Sequence, residues 1–326
     1  MKESDIRDQK VFEEYIKLVK KDVESIFDSK QYEFVSCPAC MSEDTHNEFR
    51  KNGFQYVTCR NCGTLYCNPR PTVEQLNDFY SKSVSGSFFT EHFFKPFAEA
   101  RREKIFRPRA EEVFMKFPEY NKKKIGDIGA GYGIFLEELK KKWNKAELVA
   151  IESSEDMIKI CKEKNLSVIP KMFEDIEVCE QEQFDMLFSF ELFEHLSNPK
   201  AFLDKCYSIL RTGGGYLVMT TLNGQGFDIQ ILWENHKNVN PPVHLNFFNI
   251  YSIKLLLEKC GFEVVEVKTP GRIDWDIVEQ AKKDGISIGR LWEQVVNLDN
   301  KVKSELQKWI SESKLSSHMQ VIARKR

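Results

Sequence analysis

The chain has 326 residues, 41% hydrophobic and 30% charged, enough for one large domain with an appendage and ordinary for a globular protein. With 48 basic residues against 50 acidic ones the formal net charge is −2, which excludes an overall positive field drawing it to nucleic acid or anionic membrane. No apolar run reaches the length of a bilayer span, and "MKESDIRDQKVFEEYIKLVK" is charged throughout rather than signal-like, so a cytoplasmic location with reduced cysteines is expected.

Residues 5–28 place Ile6, Phe12, Tyr15, Ile16, Val19, Val23 and Ile26 at mostly three- and four-residue steps. That spacing predicts an amphipathic helix over 1–30 that packs on another element. Over 31–75 the texture changes to short strand-like pieces between cysteines. "CPAC" at 37–40 and "CRNCG" at 59–63 give Cys-x2-Cys-x18-Cys-x2-Cys. Each CxxC turn aims two sulfurs at one point, and Gly63 eases the second turn. Cys37, Cys40, Cys59 and Cys62 are therefore expected to hold one Zn²⁺ in a ribbon. Four thiolates leave the metal no open position, which makes it structural, and nearby His46 is surplus to the set. Cys67, Cys161, Cys179, Cys206 and Cys260 are scattered, mostly within apolar stretches, and read as small core residues. Pro71 and Thr72 open a helix, "SVSGSFF" at 83–89 reads as a mobile loop, and helical spacing then resumes. Segment 76–120 is thus a helical linker or lid.

After residue 121 strand and helix alternate. Strands are predicted near 124–128, 147–151, 166–169, 184–190, 214–221, 262–268 and 318–324, and helices near 133–143, 154–164, 199–210 and 250–260. Such alternation predicts an α/β fold, a doubly wound Rossmann-like sheet covered on both faces, with a helical insertion at 272–315. The first strand runs through Asp127 into "GAGYG", with Gly129, Gly131 and Gly133 before the next helix. Three spaced glycines there predict a close-lying ligand. A dinucleotide would want GxGxxG with the third glycine inside the helix, and an acid before the first glycine would repel its pyrophosphate. That acid suits the ammonium of S-adenosylmethionine (SAM) instead. Glu152 ends the second strand about twenty residues on, where an acid accepts both hydroxyls of a ribose.

Residues 121–269 resemble a class I SAM-dependent methyltransferase of the group that includes the ubiquinone-biosynthesis O-methyltransferases. "DIGAGYG" is similar to the family's first motif, Glu152 falls on its ribose-binding acid, and "FDMLFSFELFEHLSNP" resembles its strand-4 motif, with Glu194 and His195 as the Glu-His pair. "LRTGGGYLVMTT" is similar to the turn and fifth strand that follow. The resemblance implies a seven-stranded sheet with its last strand antiparallel, and a SAM site that includes Phe190 of the strand-4 motif. Where many members carry an acid beside the adenine, this chain has Met172; Glu174 or Asp175 could substitute, with Phe173 over the ring. A zinc ribbon followed by "CNPRPT" resembles bacterial methyltransferases of nucleotide-linked sugars or surface glycans, and also a set of ribosomal-RNA guanine methyltransferases. Residues 31–75 carry acids as often as bases, which favours a small-molecule or glycan acceptor over RNA. The rival class is a non-catalytic SAM-binding scaffold.

"NHKNVNPPVHLNFFN" at 235–249 follows the fifth strand and offers Asn235, His236, His244 and Asn246 to a polar acceptor, while Phe247 and Phe248 suit a core. It resembles a loop that borders the acceptor pocket in related zinc-ribbon methyltransferases. His195 and His244 are the candidate bases, since an imidazole with a pKa of roughly 6.5 suits proton transfer. His244 is preferred for the composition of its loop. His318 reads as packing at the start of the last strand. The helices of 272–315 and of the N-terminus could form a lid or a homodimer contact.

Overall fold

Asp8 starts the first regular helix: its carboxylate accepts the amides of Lys10 and Val11 and opens α1 (Gln9–Ile26). The protein is described by a computed structural model that covers residues 2–177, 179 and 183–326. The buried stripe of α1 (Phe12, Tyr15, Val19 and Val23) packs with Phe49, Phe54 and Tyr56 of the ribbon strands. Those strands are β1 (Thr45–Lys51), β2 (Phe54–Cys59) and β3 (Leu65–Cys67). Asn52 and Gly53 turn the β1–β2 hairpin with φ of 46° and 83°, the positive pair that a two-residue hairpin of the right twist requires.

A helical arm follows as α2 (Val73–Lys82), α3 (Val84–Phe88), α4 (Lys95–Arg101) and α5 (Arg107–Lys116), with wider helical turns joining the last three. The loop expected at 83–89 is thus helical. Ser83 caps it by accepting the amide of Gly86, and the buried Asp22 carboxylate accepts those of Val84 and Ser85.

Strand and helix then alternate as β4 (Lys124–Ile128), α6 (Ile134–Lys142), β5 (Glu147–Ile151), α7 (Glu155–Glu163), β6 (Ser167–Ile169), β7 (Met186–Phe190), α8 (Pro199–Ile209) and β8 (Tyr216–Leu222). The remainder is α9 (Phe227–Leu232), β9 (Asn246–Phe247), α10 (Ile250–Lys259), β10 (Phe262–Lys268), α11 (Asp274–Lys283), α12 (Arg290–Val295), α13 (Asn300–Glu312) and β11 (His318–Lys325). Seven strands form one sheet in the order β10-β11-β8-β7-β4-β5-β6. β11 alone runs opposite to the other six strands. Parallel strands need both faces covered. One face packs Phe202, Leu203, Ile253 and Leu256 from α8 and α10; the other packs Ala110, Val113, Phe135 and Leu139 from α5 and α6. Strand order reverses between β4 and β7, so the crevice beyond their carboxyl ends is where a ligand of this fold belongs.

The ribbon does not stand apart. Strand β9, from the segment after β8, pairs with β3 and completes a four-stranded antiparallel sheet β1-β2-β3-β9. Cys37, Cys59 and Cys62 share one core with Phe193, Phe248 and Ile253. Of the five other cysteines, Cys67, Cys161, Cys206 and Cys260 are buried as expected, whereas Cys179 is exposed. Among the described residues no helix is long and apolar enough to cross a membrane.

Candidate active site

The loop after β4 is held from below by the end of β5. Gly129 donates its amide to the Ile151 carbonyl at 2.9 Å, and Gly131 donates to Glu152 Oε2 at 2.8 Å. Glu152 Oε1 accepts the amides of Ser153 and Ser154, both at 2.9 Å. The carboxylate thus fixes the loop and the start of α7 together. Gly129, Gly131 and Gly133 all take left-handed φ, of 69°, 53° and 66°. A Cβ on Gly131 would meet nothing within 4 Å, and Gly131 lines the main cavity. Gly133 corrects the sequence reading. Its Cβ would stand 2.5 Å from Leu166 Cδ1 and 3.1 Å from Cys161 Sγ, so glycine there serves close packing of α6, and Gly133 is not among the residues lining the cavity.

Asp127 is buried where β4 meets the loop. Burial first, and then the Glu152 charge, push its carboxyl up to about 8 against the opposing pull of Arg109. A cationic ligand group there would restore the carboxylate. Arg109, from α5, lays its guanidinium 4.2 Å over the Phe190 ring and 3.6 Å from Glu191 Oε1. Glu191, at φ 52°, also accepts from Thr220 Oγ1 at 2.7 Å and lies 3.4 Å from His318 Nδ1. His318 therefore faces the cavity instead of merely starting a strand.

Across this cavity, of about 640 Å³, lie His195 and His244, whose rings are 4.7 Å apart. His195 Nδ1 is 2.7 Å from the Val243 carbonyl, and His244 Nδ1 bonds the Asn238 carbonyl. These carbonyls fix Nδ1 as the protonated nitrogen on both rings, leaving Nε2 with the lone pair. Burial lowers the pKa of each, and the His195 neighbour helps bring His244 to about 3. Both shifts favour the neutral imidazole. Glu194 beside them is buried, accepts from Thr221 Oγ1 at 2.9 Å, and is pushed up to about 8 by burial and then by Glu191. The ribbon places His244: the Tyr56 hydroxyl donates to its carbonyl at 2.6 Å, and Leu245 donates its amide to the Glu194 carbonyl at 2.9 Å.

Cys37, Cys40, Cys59 and Cys62 converge as the spacing predicts, their sulfurs all within 4.8 Å of one another. Cys37 and Cys62 Sγ are 3.5 Å apart, and Cys40 and Cys59 Sγ 3.4 Å. A tetrahedral ion with metal–sulfur bonds of about 2.3 Å has edges of about 3.8 Å, so the donor set fits Zn²⁺. Gly63 closes the second knuckle at φ 70°, and Met41 does the same for the first at 68°.

Other residues singled out in the sequence lie elsewhere. Phe173 is buried against Phe202, ring centroids 5.0 Å apart, and Glu174 and Met172 are exposed on the turn beside it; none of the three lines the cavity. His236 is fully buried against Asp228 at 3.0 Å, and Asn246 binds the Leu196 carbonyl and Arg70 in the core, so neither grips an acceptor. Phe247 and Phe248 are core residues. Arg109, Glu191 and Thr220 were missed. Their only sequence signal is adjacency of the last two to strand ends.

Residues 97–267, just over half of the chain, match the methyltransferase domain family. The chain belongs to that family. It is 32% identical over 162 residues to malonyl-acyl-carrier-protein O-methyltransferase 2 of Ilyobacter polytropus, a match covering 47% of this chain and 57% of the relative. It is 29% identical over 106 residues to the ubiquinone biosynthesis O-methyltransferase of Coxiella burnetii, covering 31% and 44%. The chain thus spans about half the length of the curated relatives it matches. A solved SAM-dependent methyltransferase from Archaeoglobus fulgidus is similar at 21% identity and a TM-score of 0.47, over 71% of this chain and all of that one.

Proposed function

We propose that the protein transfers the methyl group of SAM to an oxygen of a small-molecule acceptor, a sugar nucleotide or surface-glycan component, and carries a structural Zn²⁺ in its ribbon. The observation that carries this reading is a single cavity that joins the glycine loop clasped by Glu152 to the His195–His244 pair. When bound, SAM supplies an electrophilic methyl whose displacement leaves the electron pair on sulfur, so alignment of donor and acceptor is the main task. Asp127 would accept the ammonium, Arg109 would meet the carboxylate, and Glu152 would take the ribose hydroxyls with lone pairs its three amide bonds leave over. Gly131 keeps the loop bare where the ligand lies.

The acceptor oxygen must shed a proton, and the histidine pair is what the opposite wall offers for that step. Arg7, Arg101, Lys104, Lys237 and Arg272 line the same cavity; Arg7, Lys104 and Lys237 already pair with Glu3, Asp5 and Asp284, and their donors are of the kind that binds the phosphates of a sugar nucleotide. The relatives are named O-methyltransferases, which favours oxygen as the methylated atom. The test is a screen with methyl-labelled SAM against nucleotide sugars, small phenols and ribosomal RNA. Label is expected in a nucleotide sugar. Label in RNA alone would overturn the acceptor, and SAM binding with no transfer to any acceptor would leave a scaffold.

A further inference from the structure

Three arginines from separate segments line the cavity: Arg7 ahead of α1, Arg101 at the end of α4 and Arg109 in α5. Each guanidinium lies over an aromatic ring, Arg7 4.0 Å from the Phe12 centroid, Arg101 5.9 Å from Phe106 and Arg109 4.2 Å from Phe190. A ring holds the face of a guanidinium and leaves its in-plane N–H groups for an anion. The three also feel one another. Burial and then the Arg101 charge lower Arg7 to about 9, against the pull of Asp228. Burial lowers Arg101 to about 10, with Glu191 opposing and the Arg109 charge adding to the fall. Arg101 thus stands within electrostatic reach of the other two. Like charges gathered in a buried wall are costly unless anions join them.

Part of that demand is met inside the chain. Glu3 pairs with Arg7, and Glu191 lies 3.6 Å from Arg109. Lys104 and Lys237, on the same cavity, are held by Asp5 and Asp284, each at 2.9 Å. Even so, among the described residues Arg7 Nε is buried with no hydrogen-bond partner. Arg109, whose charge acts on Asp127, serves the donor end, which leaves Arg7 and Arg101 for the acceptor. Aromatic rings continue from Arg7. Phe12 lies 6.1 Å from Tyr15 and Tyr15 4.8 Å from Phe89, centroid to centroid, and all three line the cavity. That stripe offers a surface to a planar group attached to the anion.

We infer that Arg7 and Arg101 form a diphosphate subsite, and Phe12, Tyr15 and Phe89 a planar-ring subsite, which together take a nucleoside diphosphate carried by the acceptor. The inference rests on the methyl-transfer reading and sharpens it, because it gives the acceptor a direction. The base lies toward α1, the phosphates cross Arg7 and Arg101, and the sugar reaches the His195–His244 pair on the same cavity. A single phosphate or carboxylate engages one guanidinium, whereas two phosphates engage both through charge-assisted bonds. Every group named comes from α1, its lead-in or the helical arm. Nucleotide recognition is thereby a property of segments N-terminal to the large sheet, and methyl donation a property of the sheet.

Titration calorimetry of the full-length protein tests this with UDP, dTDP, GDP and ADP, their monophosphates, and inorganic pyrophosphate. S-adenosylhomocysteine is present throughout, so that no nucleotide enters the adenosine site. One nucleoside diphosphate is expected to bind once per chain, about tenfold or more tighter than its monophosphate and than pyrophosphate. Arg101→Met should remove the preference for two phosphates over one. Phe89→Leu should weaken the nucleoside diphosphate about fivefold or more and spare pyrophosphate. Millimolar or weaker binding of every nucleoside diphosphate overturns the subsite, as does pyrophosphate binding as tightly as the best of them. A loss shared equally by all ligands in both variants, or a preference unchanged in Arg101→Met, also overturns it. Should Arg101→Met fail to fold, Phe89→Leu and the wild-type ranking decide. Titration of SAM alone keeps the two readings apart. Methyl transfer to an acceptor without phosphate, with no nucleoside diphosphate bound, refutes the subsite alone. Nucleoside diphosphate binding without SAM binding refutes the transferase reading alone.

Discussion

Gly131 and Gly133 are two residues apart, share a left-handed backbone, and answer to different forces. A side chain on either costs about 1–2 kcal/mol in backbone strain. On Gly133 it also strikes Leu166, with overpacking worth about another 1–3 kcal/mol. Gly133→Val should therefore lower thermal stability markedly, whereas Gly131→Val should cost less stability and abolish SAM binding; thermal unfolding and calorimetry on both variants check the contrast. The reverse pattern would contradict the assignment. At this scale the sequence was legible where chemistry and position coincide: Asp127 and Glu152 are acids at strand ends beside a glycine loop. Arg109, Glu191 and His318 were not legible, because three distant segments bring them together and none carries a local pattern.

Among elements, α6 shows how the helical arm is tied to the sheet. Glu138 is 3% exposed and bonds Arg102 at 2.7 Å, Arg107 at 3.1 Å and Lys141 at 2.5 Å. Burial raises its pKa, but the hydrogen bonds from Lys141, Arg102 and Arg107 outweigh burial and bring it to about 2. A depressed carboxyl contributes stability above its unfolded value and loses it as pH falls through the folded one. Glu138→Gln should thus cost about 1–3 kcal/mol at pH 7 and flatten the stability profile between roughly pH 4.5 and 2, as acid titration of denaturant midpoints would show. An unchanged profile would mean that the arm is held otherwise.

The ribbon is the second case. Its cysteine spacing was readable because two CxxC turns leave few other uses for four thiols. Its union with the segment after β8 was not, since a two-residue strand such as β9 has no periodicity to read. The helix at 83–89 was hidden because the Asp22 carboxylate that holds its first turn comes from the distant α1. With the cysteines inside the shared core, Cys59→Ser should destabilise by more than about 4 kcal/mol and render unfolding insensitive to zinc. Transfer should suffer more than SAM affinity, because Tyr56 and β9 position His244 and touch no part of the glycine loop. A zinc-independent melting curve identical to wild type would contradict this.

At the scale of the whole molecule, the large sheet lines one side of the cavity with Asp127, Gly129, Gly131 and Glu191, and the segment after β8, held by Tyr56 of the ribbon, lines the other with Asn238, Asn240, Val243 and His244. Residues 6–15, 79–112 and 270–277 close the remaining walls. Segments N-terminal to the large sheet thus add walls to the crevice beyond β4 and β7. The central claim is that SAM lies on the loop between Gly129 and Gly131 with its ribose on Glu152. Titration calorimetry of SAM into the wild type and Glu152→Ala tests it most directly. One site per chain is predicted, weakened in the variant by about 1.5–3 kcal/mol, the worth of hydrogen bonds to a charged group. Absence of SAM binding to the wild type, or equal affinity in the variant, would contradict it.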